Sequence, residues 1–225
     1  MKYHLRARRG FVVTLLVVMI SVTLLAQATS RREDSERPRW EINPYVGLAR
    51  HSPVGTRLGV IPDRNHLFLG VHTVLNLLGS DRWAFGYAPE VVPLLLVSNN
   101  PKYRTFSASN GRKFMFENGR GLVAGFAISP IGFEGKVRVA PHWQAYGAGA
   151  MGGVWFTREV PVAYSRTFNY TFEFGGGVRW AYRPHVSLRV GYKFHHLSNA
   201  YTARANPGLD ANVFLFGFDR AIGSR

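Results

Sequence analysis

Beyond residue 40 the chain is organised in short runs of period two, rich in Val, Phe, Tyr and Trp and interspersed with Gly. The clearest is TFNYTFEFGGGVRWAYR (167–183). Its even positions carry Phe168, Tyr170, Phe172, Phe174, Val178, Trp180 and Tyr182, and its odd positions carry Asn169, Thr171, Glu173, Arg179 and Arg183. Side chains alternate across a strand, so this run has one apolar and one polar face. It is also far longer than the usual strand of about five or six residues. Eight such runs are predicted, near 40–51, 64–77, 82–97, 119–133, 139–156, 167–183, 185–199 and 210–221. Short connections (78–82, about 134–140, 183–185) alternate with longer ones (52–63, 98–118, 157–166, 200–209). The pattern predicts an all-β fold: an eight-stranded antiparallel transmembrane β-barrel over residues 40–225, with short turns at one end and long loops at the other. Trp40, Trp83, Trp143, Trp155 and Tyr182 lie near strand ends, where interfacial aromatic girdles belong. The alternative is a soluble eight-stranded barrel with its apolar face inward. Alternation alone does not choose between them, but strand length favours the membrane. The polar end, FLFGFDRAIGSR (214–225), departs from the aromatic terminus common in outer-membrane barrels.

The N-terminus supports export. Lys2, Arg6, Arg8 and Arg9 precede the uncharged run FVVTLLVVMISVTLLA (11–26), and Ala26-Gln27-Ala28 offers a small-residue cleavage site. Together these predict a signal peptide over 1–28, the alternative being a retained anchor helix. Residues 29–39 (TSRREDSERPR) have no apolar period and are expected to form a mobile lead. Cleavage removes four bases and no acid from a formal charge of +15, so the exported chain stays strongly basic. A basic chain favours anionic partners such as nucleic acid, acidic polymers or phosphorylated lipid, and export argues against nucleic acid. The absence of cysteine leaves stability to packing or to a membrane.

One strand ends in reactive groups. In VSLRVGYKFHHLSNA (186–200) the apolar face (Val186, Leu188, Val190, Tyr192, Phe194) runs into His196 and Ser198, while His195 shares the other face with Arg189 and Lys193. Adjacent histidines on opposite faces cannot ligate one metal, and no metal site is expected. In the next run, Asp210 is in phase with Asn212, Phe214, Phe216 and Phe218. An antiparallel hairpin therefore puts His196, Ser198 and Asp210 on one face at one end. With both termini in the periplasm, that end is the outer rim and that face meets lipid. Serine needs an adjacent base, and a carboxylate can orient the histidine. Backbone N–H groups of the turn at Asn199, Ala200 and Tyr201 are candidates for stabilising an oxyanion. The chemistry expected is ester hydrolysis through an acyl-enzyme.

HHLSNAYTARANPGLDANVFLFGF (195–218) resembles the signature of the lipid A 3-O-deacylase family, also described as acyloxyacyl hydrolase-like outer-membrane proteins. The matching residues are His196, Ser198, Asn199, Ala200, Asn206-Pro207-Gly208 and an acid fourteen positions after the histidine. SPIGFEGKVR (129–138) and FNYTFEFGGGVRW (168–180) are also similar to stretches of that family. The resemblance implies an eight-stranded outer-membrane barrel that removes the ester-linked 3-hydroxyacyl chain at position 3 of lipid A, without a cofactor. It implies Ser198 as nucleophile, His196 as base and Asp210 as orienting acid, with Asn199 and Tyr201 at the oxyanion and substrate-positioning site. The family pattern has Glu where this chain has Asp210, one methylene shorter. On the motif alone, Asp210→Asn is expected to cripple the enzyme and Asp210→Glu to retain activity. Tyr201 replaces a glycine found in some members.

The stretch 101–121 carries Lys102, Arg104, Arg112 and Lys113, candidate contacts for lipid phosphates, although a merely solvated basic loop fits as well. Gly175-Gly176-Gly177 predicts a bend or bulge. No role is assigned to His51, His66, His72, His142 or His185. Three functions fit the sequence: a lipid A deacylase, a structural or adhesive barrel, and an esterase or phospholipase on other membrane lipids.

Overall fold

The computed structural model describes residues 40–53, 56, 58–98, 102–107, 113–118 and 121–222, the two segments within 102–118 through their backbone alone. The export segment, the lead and Arg112 lie outside the described residues. The strands are β1 (Trp40–Ala49), β2 (His66–Gly79), β3 (Trp83–Tyr87), β4 (Glu90–Val97), β5 (Lys102–Ser107), β6 (Lys113–Asn118), β7 (Val123–Ala140), β8 (Trp143–Val160), β9 (Arg166–Arg183), β10 (Val186–Ser198) and β11 (Leu209–Ile222). Nine of them form one antiparallel sheet that closes on itself, because β1 pairs with both β11 and β2. β5 and β6 form a separate hairpin.

Nine strands make eight staves. β3 and β4 are successive halves of one stave, each paired with β2 on one side and β7 on the other. The run read as a single strand over 82–97 is broken at Ala88-Pro89, where Pro89 has no N–H to donate. The ladder is patched there by Ala88 N–H to Gly132 O at 2.8 Å and Thr73 N–H to Pro89 O at 3.0 Å. Pro93 and Pro130 fall at two other register shifts, between Val92 and Leu95 and between Ile128 and Ile131. A second correction concerns 134–140. These residues are not a turn but the end of β7, with Glu134 and Lys136 facing inward, and the turn falls at Pro141-His142. The three glycines at 175–177 keep an unbroken register with β10, so the expected bulge is absent there. Gly177 and its partner Gly191 instead give room to the Tyr146 side chain: a Cβ on Gly191 would lie 2.0 Å from its hydroxyl.

The apolar face points outward. Trp40, Trp83, Trp143, Trp155 and Tyr182 are all exposed, as are Phe172, Phe174, Phe214, Phe216 and Phe218. The lumen is filled in two layers. Toward the short-turn end lies an ion-pair network. Arg189 binds Glu134 at 2.7 Å and Asp219 at 2.8 Å, and Arg179 binds Glu41 and Asp219, each at 2.7 Å. Lys136 meets Glu41 at 2.6 Å, and Lys193 bridges Glu90 at 2.7 Å and Glu173 at 2.8 Å. His72, given no role from the sequence, sits between Glu90 and Glu134. Buried charges are tolerated only when paired and hydrogen-bonded in this way. Toward the long-loop end the filling is mainly apolar: Phe68, Leu95, Val123, Val154, Phe156, Leu197 and Val213, capped by Ile61 and Val162 from the loops, with the buried rings of His66 and His195 against Phe68. This interior is a packed core.

Candidate active site

Strand phase carries the candidate groups. Along β10, Arg189, Lys193, His195 and Leu197 are buried in the lumen, whereas Leu188, Val190 and Tyr192 are exposed outside. His196 and Ser198 continue the outer set at the long-loop end. β11 pairs antiparallel with β10, and His196 stands directly opposite Asp210. The two side chains meet, His196 Nδ1 to Asp210 Oδ1 at 2.6 Å. Asp210 reaches the imidazole despite lacking the methylene of a glutamate. Ser198 stands two residues beyond His196 on the same face, and among the described residues its hydroxyl makes no hydrogen bond.

On the other side of β10, His196 pairs with Phe172, Ser198 with Tyr170, and Phe194 with Phe174. Phe172, Phe174 and Phe194 form a continuous strip, with ring centroids 5.6 and 5.4 Å apart. An apolar track on the outer wall thus leads to the serine.

The turn after Ser198 is built by Asn199. Its backbone N–H donates to Asn206 Oδ1 at 2.9 Å, its side-chain amide donates to Ala205 O at 2.7 Å, and its carbonyl accepts from Thr202 N–H at 3.1 Å. Both kinds of Asn199 donor are therefore engaged within the turn. Ala200 (φ 52°) and Tyr201 (φ 60°) occupy the left-handed region, which closes the two-residue turn. Their N–H groups make no hydrogen bond among the described residues, and the Tyr201 side chain is 86% exposed. Arg166, at the start of β9, fixes the far side of the turn by donating from Nε (3.1 Å) and Nη2 (2.6 Å) to Thr202 O.

Asp210 is on the outer face yet only 1% exposed. The cover comes from the β1–β2 loop. The Thr56 hydroxyl bonds Asp210 Oδ2, and Gly59 N–H donates to Thr56 Oγ at 2.9 Å. Val60 N–H donates to Pro207 O at 3.0 Å, tying this loop to the β10–β11 loop. The two loops meet through glycine. A Cβ on Gly59 would lie 2.7 Å from Asp210 Cγ, and one on Gly208 (φ +64°) would lie 2.2 Å from Leu58 O. Of the residues the sequence pointed to, the structure brings His196 and Asp210 into contact, with Ser198 on the same face; the contacts of Thr56 and Gly59 with Asp210 are spatial and carry no signal in the sequence. The side chains of Lys102, Arg104, Arg112 and Lys113 lie outside what the structure describes.

A closed antiparallel barrel with an apolar exterior, a charged interior and loop-end polar groups on its outer wall has the architecture of a transmembrane β-barrel of the outer-membrane type. Residues 140–219, which hold β8 to β10, most of β11, and both His196 and Asp210, match the model of the family described as lipid A 3-O-deacylase (PagL). The family resemblance carried by residues 195–218 is to that same family. Among solved structures, the outer membrane enzyme PagL is similar at 11% identity, over 80% of this chain and 99% of that one, with a TM-score of 0.52. Neisserial surface protein A is similar at 10% identity (81% and 97% covered, TM-score 0.49), and Ail of Yersinia pestis at 11% (80% and 96% covered, TM-score 0.43). At these identities the likeness to PagL is one of fold. No curated protein sequence matches the chain.

Proposed function

We propose that this chain is an outer-membrane carboxylic ester hydrolase that removes an ester-linked 3-hydroxyacyl chain from lipid A of lipopolysaccharide. The observation that carries this reading is the 2.6 Å contact between His196 and Asp210 on the lipid-facing wall, with Ser198 one rung further on. An imidazole whose Nδ1–H is held by a carboxylate presents Nε2 as the base. His196 Nε2 takes the Ser198 proton as Oγ attacks the ester carbonyl. The tetrahedral intermediate collapses, the sugar oxygen leaves with the proton from His196, and the acyl chain remains on Ser198. Water, deprotonated by His196, then releases the 3-hydroxy acid and restores the serine. The oxyanion is assigned to the N–H groups of Ala200 and Tyr201, since those of Asn199 serve the turn. Serine-to-histidine bonds are often open in an unoccupied site and tighten on substrate.

The location suits the substrate. The track of Tyr170, Phe172, Phe174 and Phe194 offers the acyl chain an apolar bed beside the serine. Exposed Arg50, Arg158, Arg166 and Arg204 sit at the same rim. We assign them, with Lys102, Arg104, Arg112 and Lys113 of the stretch between β4 and β7, to the lipid phosphates. The test is a mass spectrum of lipid A from cells expressing the wild type or Ser198→Ala. Loss of one 3-hydroxyacyl mass with the wild type alone is expected. Unchanged lipid A from both, with the barrel folded in the outer membrane, refutes the reading, and glycerophospholipid turnover in its place identifies a different lipid substrate.

A further inference from the structure

Asp210 is the residue at which this chain departs from the pattern it resembles, and it is held differently from what the motif implies. Its two oxygens have separate partners: Oδ1 meets His196, and Oδ2 meets the Thr56 hydroxyl, 154 positions away in sequence. Thr56 is itself anchored by Gly59, whose N–H donates to the Thr56 hydroxyl oxygen at 2.9 Å; the Gly59 carbonyl oxygen, 2.8 Å away, competes with Asp210 for the hydroxyl proton. The hydroxyl has one proton, and the ionised carboxylate is the stronger acceptor for it. Gly59 packs so closely on Asp210 that no Cβ fits, and the Asp210 side chain is 0% exposed. No water therefore substitutes for Thr56. An aspartate has a free terminal torsion, and a carboxylate with one partner does not hold the imidazole in a fixed orientation.

We propose that Thr56 is a positioning residue of this site: delivered by the β1–β2 loop, its hydroxyl fixes the Asp210 carboxylate so that the shorter acid still orients His196. The inference rests on the deacylase reading above. Thr56 acts through Asp210 and does not touch substrate, so its loss slows turnover without weakening binding. The experiment measures release of 3-hydroxy fatty acid from detergent-dispersed lipid A by the purified full-length protein, with folding scored by heat-modifiable gel migration. Thr56→Val keeps the shape and removes the hydroxyl. It is expected to lower kcat by about 10- to 100-fold, the range for losing one hydrogen bond to an ionised group. KM should stay within about twofold, since uniform binding is untouched. Thr56→Ser restores the hydroxyl and should recover most of kcat. A wild-type kcat in Thr56→Val, or a Thr56→Ser protein as slow as Thr56→Val, overturns the proposal. So does a failure of Thr56→Val and Thr56→Ala to fold, which would make Thr56 a stability residue. If Ser198→Ala is fully active in the same assay, the deacylase reading itself has failed. If Ser198→Ala is inactive while Thr56→Val is normal, only the role of Thr56 has.

Discussion

Asp210→Glu separates what the motif implies from what the packing implies. By motif, glutamate restores the residue of the resembling family and should be harmless. In the folded protein the carboxylate already reaches His196 at 2.6 Å, and its far side is closed by Thr56 and Gly59. A Cβ at Gly59 would lie 2.7 Å from Asp210 Cγ, 2.8 Å from Oδ1 and 2.9 Å from the backbone nitrogen. Glutamate lengthens the side chain by one carbon–carbon bond, about 1.5 Å. That length must either push the carboxylate through the imidazole position or lift the β1–β2 loop. Overpacking of this kind costs about 1–3 kcal/mol. If the strain falls on the His196 orientation, kcat drops by about 5- to 150-fold. Asp210→Asn keeps the shape but loses the charge and favours the wrong imidazole tautomer, for which a loss of about 10⁴-fold is the precedent. The assay is hydroxy-acid release from lipid A by the folded protein. The expected order is wild type, then Asp210→Glu, then Asp210→Asn. Asp210→Glu at or above wild-type turnover would refute the claim that the loop closes on the acid and would restore the expectation drawn from the motif.

Further outcomes follow from the same contacts. Gly59→Ala drives a methyl into the Asp210 carboxylate and should lower turnover at least as much as Thr56→Val, while heat-modifiable folding persists, because the barrel wall is untouched; normal turnover would show that the loop is free to lift. Lys193→Met leaves Glu90 and Glu173 buried without their shared cation and should destabilise the barrel by about 3–5 kcal/mol, read as a lower urea midpoint for loss of the folded gel form. An unchanged midpoint would mean that the lumen network is not a structural element.

The sequence makes the wall legible because the wall obeys period two. Phe172 and Glu173 differ in polarity, and they lie on opposite faces as alternation requires. The same rule placed His196, Ser198 and Asp210 together, since phase and antiparallel pairing determine which residues meet across a hairpin. It failed where polarity has two meanings. Glu134, Gly135 and Lys136 have turn-like composition, but the two charged groups face the lumen, where Arg189 and Glu41 receive them. It failed also where a contact crosses the chain. Thr56 lies in a loop without periodicity, and its partner is strand β11. His72 reads as one scattered histidine, because its neighbours Glu90 and Glu134 come from two other staves.

The distribution of charge bears on where chemistry can occur. Within the lumen, among the described residues, Glu41, Glu90, Glu134, Glu173 and Asp219 face Lys136, Arg179, Arg189 and Lys193, with His72 between two of the acids. That interior is close to neutral, so the strong positive charge of the chain does not reside there. Among the described residues, exposed arginines lie at the rims: Arg82, Arg138, Arg183 and Arg220 toward the short turns, and Arg50, Arg158, Arg166 and Arg204 toward the loops. The paired charges of the interior fasten neighbouring staves to one another. Rims that are positive draw anionic headgroups to the edges of the apolar band. The His196–Asp210 pair sits where that band ends. On the deacylase reading proposed above, an ester placed there would have its acyl chain along the apolar wall and its phosphates near the loop-end arginines. The lumen therefore contributes to the site through the Arg189–Asp219 ion pair, which ties β10 to β11 in the register that sets His196 against Asp210 at 2.6 Å.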